Sequence, residues 1–310
     1  GGGSIGSELV RQILAVGPRQ LTIVDNHEWG LWSIEREAAE LGRAVGYTQV
    51  SAVLADIRSA GSMEALLRRV RPDIVFHAAA LKHVPLVERF ALEGIHTNVL
   101  GTDNLLRACI AAGVPRFLLI STDKAVEPVS VMGATKRLAE LLTLATARET
   151  GRTYAAVRFG NVLGSSGSVV PIFEQQLRDG GPLTITHPDA TRYFMTIAEA
   201  VRLILQSAAT ESSGEIYVLD MGEPIRIRDL ADDLVRLAGA DPDVIEYAYT
   251  GLRPGERLHE TLFYDEETSE PTPNAGILRA RATPGAPRDD ELRRVVQSLA
   301  VTVRDQDETE

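Results

Sequence analysis

The strongest constraint on the fold of this chain is a glycine-rich turn that runs straight into an amphipathic helix. Gly1-x-Gly3-x-x-Gly6 leads into Ser7-Glu8-Leu9-Val10, and short β-branched runs then alternate with helical patterns through the first half. Alternation with short connections is the pattern of βα units on a parallel sheet. The spacing predicts strands over 20–25, 48–54, 73–77, 116–121 and 154–159, and helices over 33–43, 62–70, 92–112 and 133–150. The expected class is α/β: a Rossmann-like doubly wound parallel sheet with a smaller C-terminal α/β substrate domain. A turn of this kind normally follows a buried strand, so the first strand is expected to be missing from the sequence. The other source of leading glycines is a tag or linker scar. The helix that begins at once favours a functional turn.

The texture changes after Asn161. Gly164-Ser165-Ser166-Gly167-Ser168 reads as a loop and Gly180-Gly181-Pro182 as a turn. Segments 197–208 and 215–220 are expected to return to the first domain, and helices are expected over 228–238 and 257–264. From Glu266 the chain turns polar and Pro-rich, and 304–310 reads as a frayed acidic tail. The boundaries are therefore 1–160 for an NAD-binding Rossmann domain with a return segment near 192–221, and 161–310 for a substrate-binding domain with its tail.

Composition narrows the function. With 44% apolar residues among 310, there is ample side chain to bury. A net charge of -11 argues against binding nucleic acid or anionic lipid. The lone cysteine, Cys109, excludes a disulfide framework and suits a reducing cytoplasm. No run approaches the roughly 18 apolar residues of a membrane span, so no membrane contact is expected from this chain. The six histidines lack zinc spacing, so no metal is expected.

Gly1, Gly3, Ser4, Ile5 and Gly6 form a phosphate cradle, because glycines admit a pyrophosphate to the backbone and the helix end supplies amide donors. Asp25, 19 residues beyond Gly6, ends the next predicted strand, where a carboxylate takes ribose hydroxyls and repels a 2′-phosphate. That favours NAD over NADP; the plainer role for Asp25 is an N-cap. Asp56 and Ile57 end the following strand, suited to an adenine amino group. Ala78, Ala79 and Ala80 leave room for a flat cofactor.

The densest cluster is Ser121-Thr122-Asp123-Lys124, followed by Met132-Gly133-Ala134-Thr135-Lys136. Ser121 ends a strand at the carboxyl edge, where ligands of such folds bind. Met132 and Lys136, four apart, share a helix face. Glu140 is expected at the solvent or as a cap. Lys136 stands where the short-chain dehydrogenase/reductase superfamily has the lysine of its Tyr-x-x-x-Lys pair, and Met132 takes the tyrosine position.

Seven segments carry a resemblance: GGGSIGSEL, HAAALKHVPLVE, TNVLGTDNLL, STDKAVEPVSVMGATKR, VRFGNVLGSSGSVVPIF, TRYFMT and LRPGERLHETLF. Through them, over about Gly1 to Tyr264, the chain resembles the UDP-N-acetylglucosamine 4,6-dehydratases of polysaccharide biosynthesis (CapD type), in the extended short-chain dehydrogenase/reductase superfamily. The resemblance implies a lyase that uses bound NAD to oxidise carbon 4 of the UDP-sugar. Water is then eliminated across carbons 5 and 6, and the hydride returns to carbon 6. It implies Thr122 at the carbon-4 hydroxyl, Asp123 as acid, Lys124 as base and Lys136 at the nicotinamide ribose, with Asn98 and Ser121 also on the cofactor. Lys82 and His83 are expected on the sugar-diphosphate side, Asn161 on the diphosphate, Arg192 and Arg253 on the phosphates, and Glu256 on the uridine ribose.

Met132 departs from the tyrosine pattern and takes no proton, which leaves carbon-4 deprotonation to Asp123, Thr122 or a water. Larger Met-bearing relatives often carry membrane-spanning N-terminal segments, so this chain is expected to be cytoplasmic or the soluble part of such a protein. The superfamily implies a homo-oligomer paired through helices 92–112 and 133–150. A nucleotide-sugar 4-epimerase and a non-catalytic NAD-binding module are the competing readings; the Asp123-Lys124 pair favours the dehydratase.

Overall fold

Period-two burial organises the sheet of the computed structural model, which describes residues 1–44, 48–165, 167–210, 212–281 and 287–307. In the strand Arg116–Ile120, Phe117 and Leu119 enter one hydrophobic cluster while Leu118 and Ile120 enter another on the opposite face. The strands on either side repeat the alternation, so both faces are covered by helices, as a parallel sheet requires.

The chain begins with α1 (Ser4–Ala15), β1 (Gln20–Asp25), α2 (Glu28–Ala44), β2 (Gln49–Leu54), α3 (Ala60–Val70) and β3 (Ile74–His77). It continues through α4 (Val84–Arg89), α5 (Ala91–Gly94), a π-helical stretch (Ile95–Leu100), α6 (Gly101–Ala112), β4 (Arg116–Ile120), α7 (Val131–Thr150) and β5 (Thr153–Arg158). Then come β6 (Asn161–Leu163), α8 (Val169–Arg178), β7 (Leu183–Ile185), β8 (Thr191–Arg192), β9 (Phe194–Thr196), α9 (Ile197–Ala208) and β10 (Glu215–Leu219). The last elements are β11 (Ile225–Arg226), α10 (Ile227–Leu237), β12 (Tyr247–Tyr249), β13 (Thr268–Pro271), β14 (Ile277–Arg281) and α11 (Asp289–Asp307).

The main sheet has the order β13-β14-β10-β5-β4-β3, and among the described residues β1 pairs only with β2. Ladders from β3 to β10 are parallel, while β14 and β13 add antiparallel. No ladder among the described residues joins β1 to β3. Residues of both line one cavity of about 1880 Å³. One face packs α1 and α9 on Leu118, Ile120 and Val157, and the other packs α3, α6 and α7 on Phe117 and Leu119. A third cluster (Val10, Leu14, Ile23, Leu31, Ile34 and Ala38) lies within residues 1–54. A fourth joins α8, β7 and α10 through Phe173, Leu183, Ile185, Ala231 and Val235.

Four expectations need correction. The helix over 92–112 is interrupted by the π-helical stretch. No helix forms over 257–264; that segment is irregular, and its side chains are spent on ion pairs and capping contacts described below. The polar stretch after Glu266 supplies two sheet strands, with Pro271 on the outer one, where a missing N–H is tolerated. The tail is helical through Asp307, and Leu292 and Val296 bury against the main core; residues 308–310 lie outside the described residues. Arg293 on α11 pairs with Asp103 at 3.0 Å and Glu149 at 2.8 Å, so part of the α6–α7 surface expected to join protomers is occupied within the chain. No described helix is long and apolar enough to cross a membrane.

Candidate active site

The glycine turn ends where α1 begins, with Gly3 as the N-cap. A Cβ on Gly1 would lie 2.4 Å from Ile23, and one on Gly6 would lie 2.5 Å from the Gly1 carbonyl. On Gly3 a Cβ would meet nothing within 4 Å. The protein's own packing therefore demands glycine at 1 and 6, while position 3 stands open toward the cavity. Asp25 accepts from the Gly1 nitrogen at 2.7 Å and the amides of Gly2 and His27 at 2.7 and 2.8 Å. Burial raises its carboxyl, but those donors hold it below the ordinary value. Asp56 is gripped by Arg58 and Asn26.

The same cavity is lined by Gly1, Gly3, Ser4, Ile5 and Gly6, by Asp25, Asp56 and Ile57, and by Ala78, Ala79 and Ala80. Ser121, Thr122, Lys124, Met132, Lys136, Lys82, His83 and Asn161 complete the same lining. Asn98 is brought close but faces elsewhere. It is 1% exposed, accepts from the Leu81 amide at 2.8 Å, and donates to the Leu81 carbonyl and Thr135. It pins the 78–81 loop from behind, and the π-helical turn is what aims it there.

Behind β4, a 3₁₀ turn over Asp123–Ala125 carries the polar cluster, and the start of α7 presses on it. A Cβ on Gly133 would lie 2.1 Å from the Lys124 carbonyl, so only glycine permits this approach. Ser130 caps α7 through the Gly133 amide, and Glu88 accepts from the Val131 amide at 2.6 Å. Thr122 Oγ1 donates to Asp123 Oδ1 at 2.9 Å, and Lys124 Nζ reaches the same oxygen at 3.0 Å and Asn161 Oδ1 at 3.2 Å. Asp123 is 1% exposed, and its Oδ2 is buried without a hydrogen bond. It is not itself part of the cavity lining, but its Oδ1 is bonded to Thr122 and Lys124, which are. Burial disfavours the Lys124 ammonium, but Asp123 and Glu260 outweigh it and raise its affinity for the proton.

Lys136 is buried, donating to the Ile120 carbonyl at 2.7 Å, and burial pushes it down to about 8. Met132 is 3% exposed beside it. Glu140, expected at the solvent, is fully buried: it accepts from Ser121 Oγ at 2.7 Å and forms ion pairs with Arg158 at 2.9 Å and Arg137 at 3.0 Å. Arg158 also pairs with Glu267 at 2.7 Å, and Tyr264 donates to the Ala125 carbonyl at 2.9 Å. These three residues were not singled out from sequence. A charge opposite a charge across 109 residues leaves no periodic signal.

On the far side, Arg192 pairs with Glu256 at 3.0 Å and donates to the carbonyls of Thr191 and Leu258. Arg253 is exposed, with its amide bonded to Glu256. Glu260 lies between Arg192 and Lys124. Arg192, Arg253 and Glu256 are thus gathered on one loop-and-strand unit, outside the residues that line the cavity.

A family model described as polysaccharide biosynthesis protein matches residues 1–282. The chain is 45% identical over 266 residues to the probable polysaccharide biosynthesis protein EpsC of Bacillus subtilis, an alignment covering 86% of this chain and 44% of EpsC. The chain thus spans under half the length of that relative. The solved structure of Pen from Bacillus thuringiensis superposes with a TM-score of 0.81 at 28% identity, over 96% of this chain and 95% of Pen. A double mutant of DesIV, a dTDP-glucose 4,6-dehydratase from Streptomyces venezuelae solved with NAD bound, superposes with a TM-score of 0.72 at 28% identity, over 84% of this chain and 86% of DesIV.

Proposed function

The chain belongs to the polysaccharide biosynthesis protein family, and from that premise we propose that it is an NAD-dependent nucleotide-sugar 4,6-dehydratase acting on UDP-N-acetylglucosamine. The observation that carries the reading is the Asp123–Lys124 pair, 3.0 Å apart, whose lysine lines the same cavity as the glycine cradle. The open side of Gly3 and the small 78–80 loop fit a dinucleotide. We assign the cofactor to residues 1–160, with Asp25 at its ribose, and the UDP-sugar to 161–310.

Bound NAD supplies the hydride acceptor for carbon 4 and the donor for carbon 6. The carbon-4 hydroxyl gives its proton to Thr122 Oγ1, which passes its own to Asp123 Oδ1 at 2.9 Å. Met132 takes no part in that transfer, having no proton acceptor. Protonating Asp123 removes the nearer charge that holds the Lys124 ammonium. Lys124 then sheds its proton to the cavity water and takes the proton from carbon 5. Asp123 returns its proton through Thr122 to the departing carbon-6 hydroxyl, which leaves as water. Lys124 finally replaces the carbon-5 proton on the face it left, so configuration is retained, and it regains from solvent the proton it shed at the start.

Incubation with UDP-N-acetylglucosamine and NAD, followed by mass spectrometry, tests this. Loss of one water supports the dehydratase. An isobaric product marks a 4-epimerase and an unchanged substrate a binding module; either one refutes it.

A further inference from the structure

Glu260 is a buried acid for which the reaction as written has no task. It is 8% exposed, in an irregular segment that a helical reading of the sequence obscures. Its Oε1 lies 3.6 Å from Lys124 Nζ and 3.7 Å from Arg192 Nε. Both distances are those of ion pairs rather than short hydrogen bonds, so the link is mainly Coulombic and strengthened by the burial of Glu260 and Arg192. The charges run in strict alternation: Asp123, Lys124, Glu260, Arg192, Glu256. Arg192 is otherwise held by Glu256 and two carbonyls. Loss of Glu260 would therefore not release it.

We propose that Glu260 is a positioning residue that holds Lys124 and Arg192 on one buried carboxylate oxygen, and so couples diphosphate binding at Arg192 to the proton on Lys124. The inference rests on the proposed role of Lys124 as base and on Arg192 taking a substrate phosphate, as the resemblance implies. The charged groups facing Lys124 are Asp123 on its own turn, Glu260 from the 251–260 segment and Arg192 from β8; Asn161 on β6 adds a neutral oxygen. The two carboxylates favour the ammonium and Arg192 opposes it. A diphosphate that neutralises Arg192 removes the opposing charge, so Lys124 holds its proton more firmly once substrate is bound. Lys124 then becomes a base only after the carbon-4 proton has reached Asp123. Oxidation is thereby kept ahead of elimination.

Competitive acetylation of Lys124 with acetic anhydride, read by peptide mass spectrometry across pH, measures this ionisation without any turnover. In the wild-type chain the labelling midpoint should lie above the roughly 10.4 of an ordinary lysine, and saturating UDP should move it higher. Glu260→Gln should lower it by about one pH unit, and Glu260→Asp, which keeps the charge, should fall between. A wild-type midpoint at or below 10.4, a Glu260→Gln midpoint equal to wild type, or no response to bound UDP would each overturn the proposal; the first and third need no variant to fold. A chain that shows these shifts but dehydrates nothing refutes the proposed function alone. One that dehydrates with an unmoved Lys124 refutes the role of Glu260 alone.

Discussion

Replacing Lys136 by methionine should leave the protein as stable as before at neutral pH, or more so, although the side chain is only 6% exposed. Burial drives its ammonium down to about 8, against a smaller upward pull from Glu140. An ordinary lysine titrates near 10.4, so the difference amounts to about 3 kcal/mol disfavouring the folded ammonium. Below about pH 8 the lysine is charged whether the chain is folded or not, and the whole penalty is present. Between about pH 8 and 10.4 the unfolded chain binds more protons, so stability climbs with pH; above that range the penalty is gone. Methionine has similar length and no charge, but it leaves the Ile120 carbonyl without the donor it has at 2.7 Å. That loss costs about 1–3 kcal/mol. The two effects nearly cancel at pH 7, with a net gain of at most about 2 kcal/mol. Urea unfolding of both proteins at steps from pH 7 to 10.4 should show the wild type gaining about 3 kcal/mol on the variant. A difference that stays flat across that range would refute the argument. In the same variant NAD affinity should fall, followed by the fluorescence of Trp29, which is 66% exposed and lines the cavity.

Lys124→Ala should abolish loss of water from the sugar nucleotide, by at least about 100-fold as for removal of a proton-transfer group, while the Trp29 titration with NAD stays within a factor of two or so. Met132→Leu keeps the volume of a residue 3% exposed and should cost under about 1.5 kcal/mol by thermal unfolding; turnover should fall far less than in Lys124→Ala, and an equally dead enzyme would mean the methionine does chemistry. Arg158→Met strands two buried carboxylates, Glu140 and Glu267, and should destabilise by about 3–5 kcal/mol in urea titration, with the loss shrinking as pH falls and Glu140 protonates.

The local part of the fold was legible because each element carries its own period. QLTIVD and RFLLI are short apolar runs of strand length, and the helices from Ser4 to Thr150 repeat their apolar positions every three to four residues. The 257–264 segment misled for the same reason. Leu258 and Leu262 sit four apart, but Glu256, Glu260 and Tyr264 are all claimed by distant partners, and eight residues are too few for periodicity to prevail. The π-helical turn was invisible because its cause, Asn98 reaching Leu81, is tertiary. Glu140 was misplaced because a charged residue on a helix is usually solvated; only Arg158 and Ser121, on other elements, explain its burial. Ile277–Arg281 was hidden among prolines and charges, although its burial pattern is that of a sheet strand. By contrast, the gathering of the glycine turn, Asp25, Asp56, the 78–80 loop, Lys124 and Lys136 around one cavity could be anticipated, since sheet topology alone brings strand ends together.

Residues of β1 and β3 face one another across the cavity, and α1, β1 and α2 stand on the far side of it from the main sheet. They have a core of their own. Beyond it they hold the remainder chiefly through α1 on α9, where Leu9 joins the larger cluster and Gln12 donates to the Ala198 carbonyl at 2.9 Å. β4 and β5 are packed on both faces by the two largest clusters, so the amides of α1, β1 and α2 should exchange with solvent through a cheaper opening than those of β4 and β5. A dinucleotide lying between the glycine turn and the wall of Ala78 and Lys136 touches both sides of the cavity. Its occupancy raises the free energy of that opening by about 2.7 kcal/mol at a hundred times its Kd. Cofactor concentration then sets not only how fast such a protein turns over but how long its N-terminal sixth survives a protease.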